Sequence, residues 1–211
     1  MNIHSVPHMS PPASQRSVTA SPTKAGADKR DAIADAALEL FVERGFFGTA
    51  VPEIAERAGV GAGTIYRYFE SKEALVNSIY RTQKLRFTKA VLDNFSPAAT
   101  TREQFRTLWN RMAAFASTSP SAFVFLELHH HASYLDADSR AVESRMLDII
   151  IATVAAAQAR RELKAGSPRL LVGIVMGGFV GVTRNCLELS APLADADWAF
   201  AEQCIWEAIR S

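Results

Sequence analysis

Residues 49–72, TAVPEIAERAGVGAGTIYRYFESK, decide the fold of this chain. The apolar spacing predicts a short helix over about 50–58, a glycine-containing turn at 59–61 and a second short helix over about 62–69. A longer helix restarts at Ser71. Two short helices joined by such a turn are the pattern of a helix-turn-helix unit, whose second helix enters the DNA major groove.

Individual residues support the helix ends and the turn. Thr49 is the expected N-cap of the first helix, because its hydroxyl can accept a hydrogen bond from a free amide of the first turn. Gly59 can take a positive φ just past the helix end. Val60 and Ile65 are the apolar contacts that we expect to hold the two helices at a fixed angle.

The second helix has a polar surface that suits DNA. Ile65 and Phe69 form its apolar stripe, while hydroxyls, a guanidinium and an ammonium face outward and match phosphate oxygens and base edges. Gly63, with its small neighbours, leaves the helix N-terminus uncrowded, so that backbone N–H groups can meet a phosphate. The alternative is a helical hairpin with a solvated polar face. The outward residues are Thr64, Tyr66, Arg67, Tyr68 and Lys72.

This region resembles the DNA-binding domain of the tetracycline-repressor (TetR) family of bacterial transcription regulators. The similarity covers about 29–80, and the turn, the GTIYRYF helix and the SKEAL restart occur in order. Gly61 and Ala50 depart from the family pattern and remove possible phosphate hydrogen bonds. The matching residues are Ala36-Ala37 through Phe41, Gly45, Thr49, Val51, Ile54-Ala55, Ala58-Gly59-Val60, Gly63-Thr64-Ile65-Tyr66, Tyr68-Phe69 and Lys72-Glu73-Ala74-Leu75.

Composition limits the class of protein. The 211 residues are 48% hydrophobic, enough for a core, and the net charge of +1 means that DNA affinity must come from a local patch. Two cysteines are too few for a disulfide framework and fit a reducing cytoplasm. We find no secretory signal pattern, and the longest apolar run, 170–182, is too short to span a bilayer. A cytoplasmic protein without a membrane partner is expected.

The rest of the chain reads as all-α, with about nine helices. Residues 1–27 are predicted to be a disordered tail, 28–75 a three-helix helix-turn-helix domain, and 76–211 a helical domain for ligand binding and dimerisation, the last role being implied by the resemblance. Asp28 is the expected N-cap of the first helix. Phe46 and Phe47 are expected in the core. The remaining predicted helices are 71–94, 101–118, 120–134, 138–164, 167–189 and 195–210; the basic residues Arg81, Lys84, Arg86 and Lys89 are assigned to a solvated face.

Glycines recur every fourth residue in the helix 167–189. Small residues at this spacing share a face and indicate either a close helix crossing at a two-fold axis or room for a ligand. The resemblance implies a dimer built from the last two long helices. The predicted interface residues are Gly173, Gly177, Gly181, Trp198, Ile205 and Trp206, with Phe200 as a further anchor.

The middle helices are rich in aromatic and methionine residues. Each is more often a core residue, but some can line an apolar cavity of the kind that binds small molecules, and the resemblance implies an effector there. The predicted lining residues are Trp109, Met112, Phe115, Phe123, His130, Met146, Met176 and Phe179.

Metal and catalytic chemistry are not expected. Glu127 has helical spacing to His130 and His131, but three consecutive histidines point in three directions and no second such pattern exists. No cofactor is expected. The chain has no Gly-x-Ser-x-Gly elbow, phosphate-binding glycine loop or paired His-carboxylate set, so an enzyme is rejected.

These patterns predict a DNA-binding regulator, a homodimeric repressor that an apolar small-molecule effector releases from a palindromic operator. Two copies of a short recognition helix, one turn of DNA apart, read a palindrome. The alternative is a constitutive DNA-binding protein whose second domain only dimerises or docks a protein. Thr64, Arg67 and Tyr68 are assigned to the groove, with Arg67 as a guanine partner, and Thr49, Tyr66 and Lys72 to phosphates.

Overall fold

The computed structural model of the protein describes residues 24–189 and 193–211. Over these residues the chain is all-α, as predicted, apart from one isolated bridge between Leu163 and Arg210. The helices are α1 (Lys24–Arg44), α2 (Val51–Arg57), α3 (Ala62–Ile65), α4 (Lys72–Leu92), α5 (Thr101–Thr118), α6 (Pro120–Leu128), α7 (Ala137–Ala159), α8 (Pro168–Leu189) and α9 (Asp195–Ile209).

The first helix begins earlier than predicted. α1 starts at Lys24, so Asp28 is not its N-cap, and the predicted tail overlaps the helix at 24–27. The rest of that predicted tail, 1–23, lies outside the described residues. α4 follows the prediction, because the Ser71 hydroxyl accepts a hydrogen bond from the amide of Ala74 at 3.0 Å and caps the helix.

Two of the later helices are shorter than predicted. α6 ends at Leu128 because His129 is extended, with φ −100° and ψ 146°. A loop over 129–136 then leads to α7, which ends before Arg161, where φ is +60°. A positive φ cannot continue a right-handed helix, so the predicted segment 138–164 was too long, and the extended His129 made the predicted segment 120–134 too long.

One continuous apolar core joins the helix-turn-helix to the later helices. Phe41 of α1 stacks on Phe125 of α6 with ring centroids 6.4 Å apart, and Tyr80 of α4 meets the same ring at 6.5 Å. Phe46 is buried, as predicted, but Phe47 is 79% exposed and is not a core residue. The prediction for Phe47 was wrong because the two neighbouring side chains point in different directions from the loop.

α8 and α9 cross closely at Gly178, which the fourfold glycine spacing does not include. A Cβ at Gly178 would collide with the side chain of Ile205. Beyond this crossing, the amide of Lys164 donates to the carbonyl of Ile209 at 2.9 Å, so the end of α9 is fixed to the segment between α7 and α8. The C-terminal helix is therefore part of the domain core.

Candidate nucleic-acid interface and internal cavity

The turn between α2 and α3 has the geometry that the sequence predicts. Gly59 takes φ +65°, and the amide of Val60 reaches back to the carbonyl of Ala55 at 2.9 Å, as in a Schellman cap. Ile54 and Ile65 are buried at 0% and 2% exposure, one from each helix. This cap and the apolar contact set the direction in which α3 leaves α2.

The recognition segment is shorter as a helix than predicted. α3 covers only Ala62–Ile65, and hydrogen-bonded turns continue it to Phe69, whose amide donates to the carbonyl of Ile65 at 2.9 Å. Phe69 is buried and lies under the guanidinium of Arg30, which is 4.9 Å from its ring centroid. The turn after α3 is therefore held against α1.

The predicted DNA contacts on this segment differ in exposure. Tyr66 is 56% exposed, and Arg67 and Gly63 are also exposed. Thr64 is half-buried, and Tyr68 is half-buried with its ring packed against the core. Tyr66 and Arg67 thus present a phenol and a guanidinium to solvent on the same short segment, and the phenol of Tyr68 is partly turned inward.

Two predicted phosphate contacts have internal partners instead. Thr49 is 2% exposed, and its hydroxyl donates to the carbonyls of Gly45 and Leu40 at 2.8 and 3.1 Å. It is not the N-cap of α2; that residue is Ala50, whose amide donates to the Glu53 carboxylate. The free amide at the start of α2 thus has the Glu53 carboxylate as its hydrogen-bond acceptor. The Thr49 hydroxyl is not needed as a cap and instead holds the loop against α1.

Lys72 also closes this loop from inside the domain. Its Nζ donates to the carbonyls of Phe46 and Thr49 at 2.8 and 2.9 Å and lies 4.3 Å from the Phe46 ring centroid. Two of the three ammonium hydrogens are therefore used inside the domain. The basic end of α4 stabilises the segment that carries α2.

Other basic side chains of the domain are held by carboxylates. Arg57 pairs with Glu43 at 2.5 Å, and Arg44 pairs with Glu53 at 2.6 Å. The hydrogen bond from Arg57 holds the pKa of Glu43 below its usual range. Arg67 takes part in no such pair among the described residues, which leaves its guanidinium available for a DNA base or phosphate.

A cavity of about 280 Å³ lies between α4, α5, α7, α8 and α9, and Glu127 of α6 also lines it. Of the predicted lining residues, Trp109, Met112, Met146 and Met176 do line it. The wall is largely apolar, which is typical of small-molecule sites. Other apolar lining residues are Phe87, Val91, Phe105, Leu108, Leu147, Ile150, Val154, Ala157, Leu163, Leu171, Val172, Val175, Trp206 and Ile209.

The other predicted lining residues are not in the wall. Phe123 and Phe179 are buried in the core, where their rings meet at 5.7 Å, and Phe115 packs against Phe87. His130 is exposed and does not reach the cavity. These predictions were wrong because buried aromatic residues in one helix can face either the cavity or the layer behind it.

The cavity wall also contains charged residues that were not predicted to line it. Lys84 of α4, assigned to a solvated face, is only 8% exposed and its Nζ lies 3.3 Å from Oε1 of Glu127. Glu143 of α7 also lines the cavity. Burial raises the pKa of the Tyr80 hydroxyl well above its usual range, and the nearby Glu143 carboxylate adds to this. The residues around Lys84 in the sequence do not indicate that Glu127, on another helix, pairs with it.

One residue of the histidine cluster, His131, is hydrogen-bonded inside the fold. His131 is buried; its Nε2 lies 2.5 Å from the carbonyl of Phe125, and its Nδ1 lies 2.8 Å from the Tyr134 hydroxyl. The carbonyl can only accept, so Nε2 carries the hydrogen, and in the neutral ring the Tyr134 hydroxyl donates to Nδ1. Burial lowers the pKa of His131. Both ring nitrogens of His131 have partners within the fold.

The predicted interface residues divide into two groups. Gly173, Gly177 and Gly181 are exposed, and nothing lies within 4 Å of a Cβ added at any of them. The three larger residues pack inside the chain instead. Trp198 stacks on Phe179, Ile205 contacts Gly178, and Trp206 lies 5.4 Å from Phe105 and lines the cavity.

A helix-turn-helix unit with an exposed recognition segment, joined through α4 to a helical domain with an apolar cavity, defines a DNA-binding transcription regulator. Residues 33–79 match the family model "Bacterial regulatory proteins, tetR family", and residues 80–211 match "Tetracyclin repressor-like, C-terminal domain". The chain belongs to the TetR family of bacterial transcription regulators, which are not enzymes.

Similar proteins agree with this assignment. The fatty acid metabolism regulator protein of Bacillus subtilis is 36% identical over 72 residues, 34% of this chain and 37% of the relative. The HTH-type transcriptional regulator RutR of Escherichia coli K12 is 39% identical over 87 residues, 40% of this chain and 41% of the relative. The chain thus aligns with less than half the length of these curated relatives.

Similarity of structure extends further along the chain. The crystal structure of a TetR family transcription regulator from Marinobacter aquaeolei VT8 superposes with a TM-score of 0.77 at 25% identity. The superposition covers 88% of this chain and 97% of that one. The arrangement of both halves is therefore shared with a TetR family regulator of known structure.

Proposed function

We propose that this chain is a cytoplasmic homodimeric repressor that a small molecule in the cavity releases from a palindromic operator. The position of α4 supports this function. The helix begins at Lys72, fastened to the loop before α2, and farther along it supplies Lys84, Phe87 and Val91 to the cavity wall. One rigid helix thus connects the cavity with the DNA-binding unit.

Contacts from two sides would make α4 sensitive to a molecule in the cavity. The Lys84–Glu127 ion pair ties it to α6, and the Thr88 hydroxyl lies 3.2 Å from Sδ of Met146 on α7. An occupant that separates these contacts favours a different position of α4 and of the recognition segment. A ligand that binds one position better by 1–3 kcal/mol shifts DNA affinity by roughly 5- to 150-fold.

On the DNA side, Arg67 and Tyr66 are the proposed principal contacts. A guanidinium can form two hydrogen bonds with O6 and N7 of guanine, which makes Arg67 the candidate for base reading. Thr64 and Tyr68, both half-buried, are proposed as secondary groove contacts, and the backbone at Gly63 as a phosphate contact.

Dimerisation is supported by an uncovered apolar face on α8 and α9. Leu170 and Ile174 are 65% and 44% exposed, and they lie on one face of α8 with the three exposed glycines. Phe200 of α9 is 73% exposed. A second copy that packed on this face would bury these side chains and bring two helix backbones close together at the glycines.

The test begins with the genomic fragments that the purified protein retains at about 150 mM salt, where non-specific binding is weak. A few palindromic fragments are the expected result, and a deproteinised small-molecule extract of the cells should release them. Scattered sites, or fragments that no extract releases, would favour a constitutive DNA-binding protein.

A variant with a filled cavity sharpens this test. Val175→Trp places a larger side chain in the wall without touching the recognition segment. We expect the variant to change fragment affinity or to stop responding to the extract. If it retains and releases the same fragments as the natural chain, the cavity does not control DNA binding.

A further inference from the structure

The charges in the cavity wall are few and unbalanced. Within the described part of the chain, the residues that line the cavity include three with a formal charge: Lys84, Glu127 and Glu143. The other polar lining residues, Thr101, Gln104 and Thr153, are uncharged. The wall therefore carries two carboxylates and one ammonium, a net charge of −1 in a mostly apolar surrounding.

The single ammonium of the wall already has partners. Nζ of Lys84 lies 3.3 Å from Oε1 of Glu127 and 5.7 Å from the ring centroid of Phe87. The side chains of the pair are 10% and 15% exposed, so water screens them little. A ligand anion would have to compete with Glu127 for this lysine, and success would leave a carboxylate without its partner.

The second carboxylate has no such partner. Glu143 forms no ion pair among the residues that the structure describes. It is solvent-exposed at the edge of the cavity, where it lies close to the buried Tyr80. An ammonium group can therefore reach Glu143 while the rest of a molecule enters the apolar part of the cavity.

We infer that the effector is an apolar molecule with one cationic amino group, which binds Glu143 while its hydrocarbon part lies among Met112, Met176 and Trp206. A cation brings the charge of the wall and ligand together to zero, whereas an anion brings it to −2. Repulsion between like charges is strongest beside Glu127, whose side chain is 15% exposed and where water screens little, and is weaker at the solvent-exposed Glu143. The inference rests on the proposed function, because it names the ligand class of that same cavity.

Three probes with one hydrocarbon chain and different head groups test the inference: decylamine, decan-1-ol and decanoate. At pH 7 the amine is cationic and the acid anionic. Trp109 and Trp206 line the cavity, so intrinsic tryptophan fluorescence reports an occupant directly. We expect decylamine to bind most tightly and decanoate most weakly, with a difference in dissociation constant of at least about fivefold between decylamine and decan-1-ol.

A matched pair of variants tests the assigned carboxylate. Glu143→Gln removes one charge from the wall and should weaken decylamine binding by about fivefold while leaving decan-1-ol binding unchanged. Asp148→Asn removes one charge from an exposed position of the same helix outside the cavity and should alter neither. Thermal unfolding of both variants without ligand checks that the fold is intact.

The outcomes separate this inference from the proposed function. Equal binding of the three probes, tighter binding of decanoate, or equal decylamine binding by Glu143→Gln and the natural chain would each overturn the cationic class and leave the cavity as an effector site. If no probe alters tryptophan fluorescence, the cationic class is also overturned, while the proposed function still depends on whether the cell extract releases the retained fragments.

Discussion

Phe46 and Tyr134 stack with their ring centroids 4.3 Å apart, although they are far apart in sequence. Phe46 precedes the helix-turn-helix, and Tyr134 belongs to the loop between α6 and α7. On one side of the stack, Lys72 lies over the Phe46 ring. On the other, the Tyr134 carbonyl accepts a hydrogen bond from Nδ2 of Asn77 in α4 at 2.7 Å. The stack therefore joins the DNA-binding unit, α4 and the second domain.

Loss of this stack should destabilise the chain. Tyr134→Ala removes the ring contact and the hydroxyl bonded to His131, and we expect the free energy of unfolding to fall by about 2 kcal/mol. Tyr134→Phe keeps the ring and should cost only about 1 kcal/mol. Urea denaturation measures both changes. Equal stability of Tyr134→Ala and the natural chain would mean that the two loops are not joined energetically.

Stability should fall in mild acid because of the buried His131 and the half-buried His129. Burial lowers the pKa of His131 and of His129 below the ordinary value of 6.5. As the pH drops through about 6.5, the unfolded chain takes up protons that the folded chain does not, so unfolding becomes easier. The loss continues until the pH reaches the lowered folded-state pKa. Urea midpoints at pH 7.5 and pH 5.0 measure the effect.

Two glutamine variants isolate the contribution of one histidine. His131→Gln removes the buried titrating group, so the difference in stability between the two pH values should shrink. His130→Gln changes an exposed neighbour that forms none of the buried contacts, and the difference should persist. An unchanged pH dependence in His131→Gln would show that other groups cause the acid sensitivity.

The turn before α3 should be sensitive to a side chain at only one of its two glycines. Gly59 has φ +65°, so Gly59→Ala should cost about 1–2 kcal/mol of folding stability. Gly61 has an ordinary φ of −70°, and an added Cβ would meet only the Thr64 hydroxyl oxygen, at 3.9 Å, so Gly61→Ala should stay within about 0.5 kcal/mol. Thermal or urea unfolding compares them. A similar cost at both glycines would contradict the proposed role of the backbone angle.

The sequence predicts the helices well where local signals mark their ends. α5 covers the predicted 101–118, because Thr100 and Glu103 form a capping box and Pro120 follows. Gly59 likewise marks the turn of the helix-turn-helix by its own conformational freedom. Such signals lie within a few residues of the feature they determine, and therefore a single sequence contains them.

The direction of side chains depends on partners that are distant in sequence. The sequence around Lys84 predicts a solvated side chain. Its partner Glu127 is 43 residues away and lies next to it only because α4 packs against α6. The sequence does not distinguish Gly178 from its neighbour Gly177, but only Gly178 faces Ile205 of α9. For the same reason Trp206, predicted at a dimer interface, lines the cavity. Helical periodicity identifies a face, but it does not identify what covers it.

Arg67 should determine part of the operator preference. Arg67→Ala should reduce discrimination between the operator and a copy with one critical G·C pair changed by about 1–3 kcal/mol, roughly 5- to 150-fold. Arg145→Ala removes an equal charge from an exposed position on α7 and should leave discrimination unchanged. Fluorescence anisotropy with the two DNA duplexes measures the ratio. Full discrimination by Arg67→Ala would remove this residue from base reading.

A charge on the glycine face of α8 should prevent two copies from associating. A side chain at Gly177 meets nothing within 4 Å in one copy, so Gly177→Glu should leave the protomer folded. In the proposed dimer the same carboxylate is buried against its symmetry mate without a partner, and dimerisation should weaken at least about tenfold. Sedimentation velocity measures the dimer fraction, with Asn110→Glu, at an exposed position of α5, as the control. Operator binding reports an intact dimer, because the two recognition segments need a fixed separation to read a palindrome. If the Gly177→Glu chain still dimerises and still retains operator DNA, the dimer interface lies on another face.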